Sequence, residues 1–281
     1  MKKQILSLGA ALSLIMAVGP VLAMPNFDSY TLENPNKTLT LWLPEAAGNA
    51  PVISLGAGID PESGQLVEGY AFIHYKDKKA KPPTAGKVGG AKCYGFLSKG
   101  AKWNWTEPWV VNAANSRGLA EAFVLGNLAG NIAKWEDAAD GALDGITVDI
   151  LGEGSATTSV LVADTETPDG QNEVYFADIS SPGAIAVTII WGIFSGPPSG
   201  RKLVEWDQVY DDFDHDWSSS GEAGKMDFEN IATHELGHSV GMDDVYEVAC
   251  SEVTMYGYAD YGETKKRTLE VPDIVGVSTL Y

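Results

Sequence analysis

His234-Glu235-Leu236-Gly237-His238-Ser239-Val240-Gly241-Met242-Asp243-Asp244 is the stretch from which the rest of the chain is best read. On a helix, His234 and His238 stand one turn apart on the same face, so both imidazoles can reach one ion. Glu235 rides on the same turn, within reach of a water on that ion. Gly241 can end the helix in a left-handed conformation and turn the chain back, so that Asp244 supplies a third donor. Asp243 is the rival by adjacency, and spacing favours Asp244. Three protein ligands and one open position are the donor set of catalytic zinc, whereas structural zinc is usually closed by four side chains.

The surroundings support a helix there. Asp227 is a candidate N-cap, and Phe228, Ile231, Leu236 and Val240 make the apolar stripe behind it. The chain has only four histidines, and two of them fall in this motif. His74 and His215 look isolated and are read as non-ligands. An ordinary amphipathic helix with buried histidines has no need of a glutamate between them.

Beyond the helix, Ser251 to Tyr258 (Ser-Glu-Val-Thr-Met-Tyr-Gly-Tyr) resembles the methionine turn of the metzincins, in which a Met side chain, here Met255, floors the metal. Leu269 to Tyr281 resembles the final helix of the matrixins. With Asp227 and the zinc motif, these segments make the chain similar to matrixin-like zinc metalloproteases, sharply over Asp227 to Tyr281 and more weakly from about Cys93 to Tyr210. The usual third ligand of that group is a histidine. Asp244 in its place is similar to the snapalysin-type peptidases, and carboxylate oxygen remains an acceptable zinc ligand. Tyr258 lies too far past Met255 to match the extra tyrosine ligand of astacin-like relatives.

The resemblance implies an α+β fold: a twisted mixed β-sheet, a long helix, the zinc-site helix and a C-terminal helix. It also implies a secreted endopeptidase acting on proteins or peptides, with Glu235 as general base toward a zinc-activated water and His234, His238 and Asp244 as the metal ligands. Two other readings stay open. One is a non-catalytic secreted protein that binds metal and a partner. The other is a zinc hydrolase of cell-wall peptides.

Met1-Lys2-Lys3 and the apolar run Ile5 to Ala23 have the layout of a secretory signal ending near Ala23, with an uncleaved membrane anchor as the alternative. Removing Lys2 and Lys3 with it takes the formal charge from −19 to −21. Such acidity argues against nucleic acid or an anionic membrane as partner, and admits calcium as a second ion. Asp211, Asp212, Asp214 and Asp216 are the candidate calcium donors, or else a solvated loop. In an oxidising compartment, Cys93 and Cys250 are expected to pair. A cysteine switch at Cys93 and two free thiols are the alternatives, and Ala91 to Gly95 lacks the Pro-Arg-Cys-Gly pattern of matrixin propeptides.

Residues 24–90 read as a small β-rich region, propeptide or accessory, and residues 91–281 as the catalytic domain. Thr38 to Leu43 and Gly69 to Tyr75 alternate as strands, Asp60 to Gly64 is a turn, and Lys76 to Gly90 reads as a linker or exposed loop. Further on, Pro108 to Asn112 suits a strand. Leu119, Phe123, Leu128, Ile132 and Trp135 mark a long helix that Ser116 would cap. Ile146, Val148 and Ile150 alternate as a second strand. Strands are also expected at Glu173 to Ile179, Ala184 to Phe194 and Lys202 to Tyr210. Ala184 to Trp191 is either a cleft-edge strand that pairs with extended substrate or a fully internal one.

Overall fold

The computed structural model describes residues 39–44, 50–76 and 92–281. All of them fall in the second of two units, Leu32–Tyr281. The signal-like segment 1–23 and most of the lysine-rich linker lie outside the described residues.

The architecture is α+β. Among the described residues twelve strands are formed: β1 (Thr40–Leu41), β2 (Val52–Ile59), β3 (Leu66–Tyr75), β4 (Gly95–Phe96), β5 (Trp109–Asn112), β6 (Gly154–Ala156), β7 (Asn172–Ile179), β8 (Ala184–Ile193), β9 (Lys202–Asp211), β10 (Trp217–Ser218), β11 (Met226–Asp227) and β12 (Met242–Asp243). The helices are α1 (Glu121–Asp137), α2 (Phe228–Ser239) and α3 (Val271–Leu280). The main sheet is eight-stranded and mixed, in the order β2-β3-β8-β9-β7-β5-β6, with β1 paired to the end of β7. From β9 through β7 and β5 to β6 the pairing is parallel, whereas β8, β3 and β2 are added antiparallel.

Alternation along β8 explains why it lies in the middle. Ala186 and Ile190 enter the core under the helices, while Val187, Ile189 and Trp191 enter a second core on the opposite face. A strand buried on both faces reads as a nearly continuous apolar run, as this one does apart from Thr188. Both of its edges are also taken, by β9 and by β3 (Glu68 to Tyr75 against Ala184 to Gly192). As folded, β8 is therefore internal, and the N-terminal segment supplies the strand that covers its edge.

Helix α1 buries Val124, Leu128, Ile132 and Trp135, the i, i+4, i+8, i+11 face. Its Trp135 indole donates to Thr233 O in α2 at 2.8 Å, fixing the two helices together. Two local expectations fail. Ser116 does not cap α1, which starts from Ala120; the Ser116 backbone N–H and hydroxyl bond Asp212 instead. Residues Ile146 to Ile150 are not a strand: Ile146 and Val148 are exposed, and β6 follows at Gly154. Alternation there was a false signal because no neighbouring strand is available to pair with it.

Candidate metal centre

Helix α2 starts as its sequence predicts. The Asp227 carboxylate accepts from Asn230 N at 3.0 Å, and Arg267 grips it with two nitrogens at 2.6 and 2.8 Å. After Val240 the chain reverses through Gly241 at φ +100°, where a Cβ would sit 3.0 Å from Ala101 O. The reversal brings Asp244 back over α2.

Asp244 Oδ1 stands 3.2 Å from His234 Nε2 and 3.7 Å from His238 Nε2. Asp243 turns elsewhere: its Oδ1 accepts from Asp244 N. Each imidazole is held from behind. His234 Nδ1 lies 2.7 Å from Thr254 O and His238 Nδ1 3.0 Å from Met242 O. A carbonyl can only accept, so both Nδ1 atoms carry the proton and both Nε2 atoms present lone pairs. Burial keeps the rings neutral: His234 is lowered to about 3, with the Lys266 charge adding to the effect, and His238 is lowered as well.

Two nitrogen lone pairs thus face a carboxylate oxygen with no hydrogen between them. His234 Nε2 and Asp244 Oδ1 are buried without a hydrogen-bond partner despite their 3.2 Å approach. A cation between them removes this conflict. Burial would raise Asp244, but the Tyr246 hydroxyl, which donates to Oδ2 at 2.7 Å, favours its ionised form, and the acid lies low, at about 2. Two neutral imidazoles and an ionised carboxylate suit zinc.

The support beneath is continuous. The Asp273 carboxylate, part of the capping box of α3, accepts from Thr254 N at 2.9 Å and Met255 N at 3.3 Å. It thereby fixes the carbonyl that orients His234. Met255 is fully buried, and its sulfur would meet any Cβ added at Gly237 at 2.2 Å. Glycine is required at that turn of α2 because the methionine occupies the space.

Glu235 is completely buried. Thr188 on β8 donates to its Oε2 at 2.5 Å, while Oε1 has no hydrogen-bond partner. Burial raises it to about 8, against the Thr188 hydrogen bond.

Three further residues reach this centre. His74, expected to be isolated, is instead buried with its Nδ1 3.6 Å from Glu235 Oε1 and its ring edge-on to His234 at 4.1 Å. Phe72 stacks on His238 at 4.8 Å. Lys266, fully buried and lowered by burial to about 8, places Nζ 3.4 Å from His74 Nε2 and donates to Tyr256 O. The alternation of Tyr70, Phe72 and His74 was visible in the sequence, but nothing there said which helix that face would meet. His215 stays outside, bonding Ala184 O through Nε2 at 3.1 Å.

Cys93 and Cys250 form a disulfide. It joins the segment before β4 to the loop after β12, and it leaves no thiol for a cysteine switch. The acidic run expected to suit calcium has other partners. Asp211 accepts from the N–H groups of Ile179, Phe213 and Asp214, and Arg117 pairs with Asp212 and Asp216. Calcium has no support at these residues.

A buried pair of histidines on one helix and a carboxylate brought back by a glycine turn, above a buried methionine, could together hold a metal ion. Residues 202–281 match the family model of the matrixins, the M10 peptidases. The match covers β9, α2, the methionine segment and α3, and it supports a matrixin-like metalloprotease, a class that uses zinc to hydrolyse peptide bonds. No curated protein is similar enough to the chain to count as a match.

Proposed function

We propose that the chain is a secreted zinc endopeptidase in which His234, His238 and Asp244 hold the metal and Glu235 is the general base. The observation that carries this reading is the convergence of His234 Nε2, His238 Nε2 and Asp244 Oδ1 with no proton to share. Zinc in that position would polarise a peptide carbonyl and acidify a water. Glu235, one residue from His234, takes a proton at Oε1 while Thr188 holds Oε2, and then returns it to the leaving amine. Its raised affinity for protons suits the first half of that cycle, since a weak acid's conjugate base is the better acceptor. The disulfide fits an oxidising compartment. No described helix is long and apolar enough to cross a membrane. Residues 24–90 remain, on this reading, a region separate in role from the catalytic part that begins near Cys93.

Metal analysis with casein digestion tests the proposal. Wild type should carry one zinc per chain and lose cleavage to a chelator. Glu235→Ala should keep the zinc and lose about a thousandfold in turnover. Cleavage by that variant at the wild-type rate would overturn the mechanism. A second reading, a non-catalytic metal-binding protein, draws on the burial of the His234, Glu235, His238 and Asp244 side chains. Stoichiometric zinc without chelator-sensitive proteolysis, in every form of the chain, would favour it.

A further inference from the structure

We propose that β3 is a built-in occupant of the position where an extended peptide would bind, so that the chain as folded is a closed, latent form. The proposal rests on the endopeptidase reading for what is being blocked, and on separate geometry for the block itself.

Three observations carry it. First, β3 pairs antiparallel with β8 from Glu68 to Tyr75, so the backbone groups of the strand that bears Thr188 are satisfied within the chain. An incoming peptide adding to that edge would have to displace β3. Second, one face of β3 is pressed onto the metal centre. Phe72 stacks on the His238 ring, and two residues on, His74 meets the His234 ring edge-on. His74 Nδ1 also points at the unpartnered Oε1 of Glu235, the atom that has to accept a proton from water. Third, His234, Glu235 and His238 are at most 1% exposed, and the Asp244 side chain is 3% exposed. A hydrolase must admit both water and a peptide at these atoms.

A cavity of about 400 Å³ is lined by Tyr70, Phe72, Phe194 and Asp243 among others. Phe72 stands between it and His238. Withdrawing β3 would join that cavity to the metal centre.

The test uses the zinc-loaded full chain and a tripeptide with a C-terminal hydroxamate, which needs both the metal and the strand edge. Titration calorimetry compares wild type with the F72A/H74A double variant, and casein digestion is run alongside with and without Glu235→Ala. The double variant should bind the probe at least tenfold more tightly than wild type. Equal binding, or binding by neither, would overturn the latch. If the double variant does not fold, hydrogen exchange on wild type decides. Excess probe should strip protection from the amides of β3, and unchanged protection there would refute the proposal. The two readings fail differently. An opened variant that binds hydroxamate but leaves casein intact keeps the latch and removes the peptidase. Wild type that digests casein as fast as the opened variant does the reverse.

Discussion

On the helix-covered face of the sheet, His234, His238 and Asp244 gather three potential donors; on the other face, Asp164, Glu205 and Asp207 gather three more. Both clusters are largely buried, and both leave oxygen atoms without partners. Their electrostatics are opposite. At Asp244 burial opposes ionisation, but the Tyr246 hydroxyl donates to Oδ2 and its proton affinity falls. In the second cluster burial pushes Glu205 up, with the Asp207 charge adding to it; Asp207 is raised in turn, and nearby Glu173 reaches about 7. Backbone N–H groups of Asp164, Gly170 and Glu173 offset only part of this. Burial alone therefore does not define a metal centre. A mixture of neutral and anionic donors suits one better, because it leaves lone pairs that protons do not quench near neutrality.

The largest expected effect tests that contrast directly. Asp244→Ala should weaken zinc binding by at least about a hundredfold in a competition with a chromogenic chelator, and Glu205→Ala should leave it unchanged. Equal losses would erase the distinction between the clusters.

Acidity provides the second test. Glu205 has a folded-state affinity for protons above its unfolded value, so the folded chain keeps a proton that the unfolded chain releases above about pH 4.5. The resulting stability is complete below that pH and is lost as pH rises toward the folded value. Each retained proton contributes up to about 1.4 kcal/mol per pH unit. Glu205→Gln escapes the loss and can still accept from Gly170 N. Its melting temperature, followed by calorimetry in the presence of chelator, should match wild type near pH 4.5 and exceed it by several degrees at pH 8. A constant difference across that range would mean that the acid is not held protonated.

The smallest effect sharpens the account of the metal side. Tyr246→Phe removes the donor to Asp244 Oδ2 and should cost about tenfold in zinc affinity, with little change in thermal stability of the metal-free chain. No change in affinity would show that the imidazoles alone orient the carboxylate.

Much of this was readable along the chain. The α2 start at Asp227, the left-handed turn at Gly241 and the central strands from Glu173 to Tyr210 follow from short-range chemistry: capping, a positive φ and period-2 burial. Failures came where two segments had to meet. Ser116 has the right chemistry for a cap, but Asp212, nearly a hundred residues away, holds it. Ile146 to Ile150 alternates without a strand to pair with. His74 looked isolated because its partners, Glu235 and His234, arrive from the far end of the sequence.

The sequence by itself determined the donor types, their helical spacing and the glycine that returns a carboxylate to them, since a helix turn and a tight reversal are set by neighbouring residues. Only the tertiary structure decided that the carboxylate which arrives is Asp244's, that Thr254 and Met242 fix the imidazole tautomers, and that β3 covers the strand edge beside them. The last of these depends on which strand reaches the edge of β8, and strand pairing across more than a hundred residues leaves no local mark on either partner.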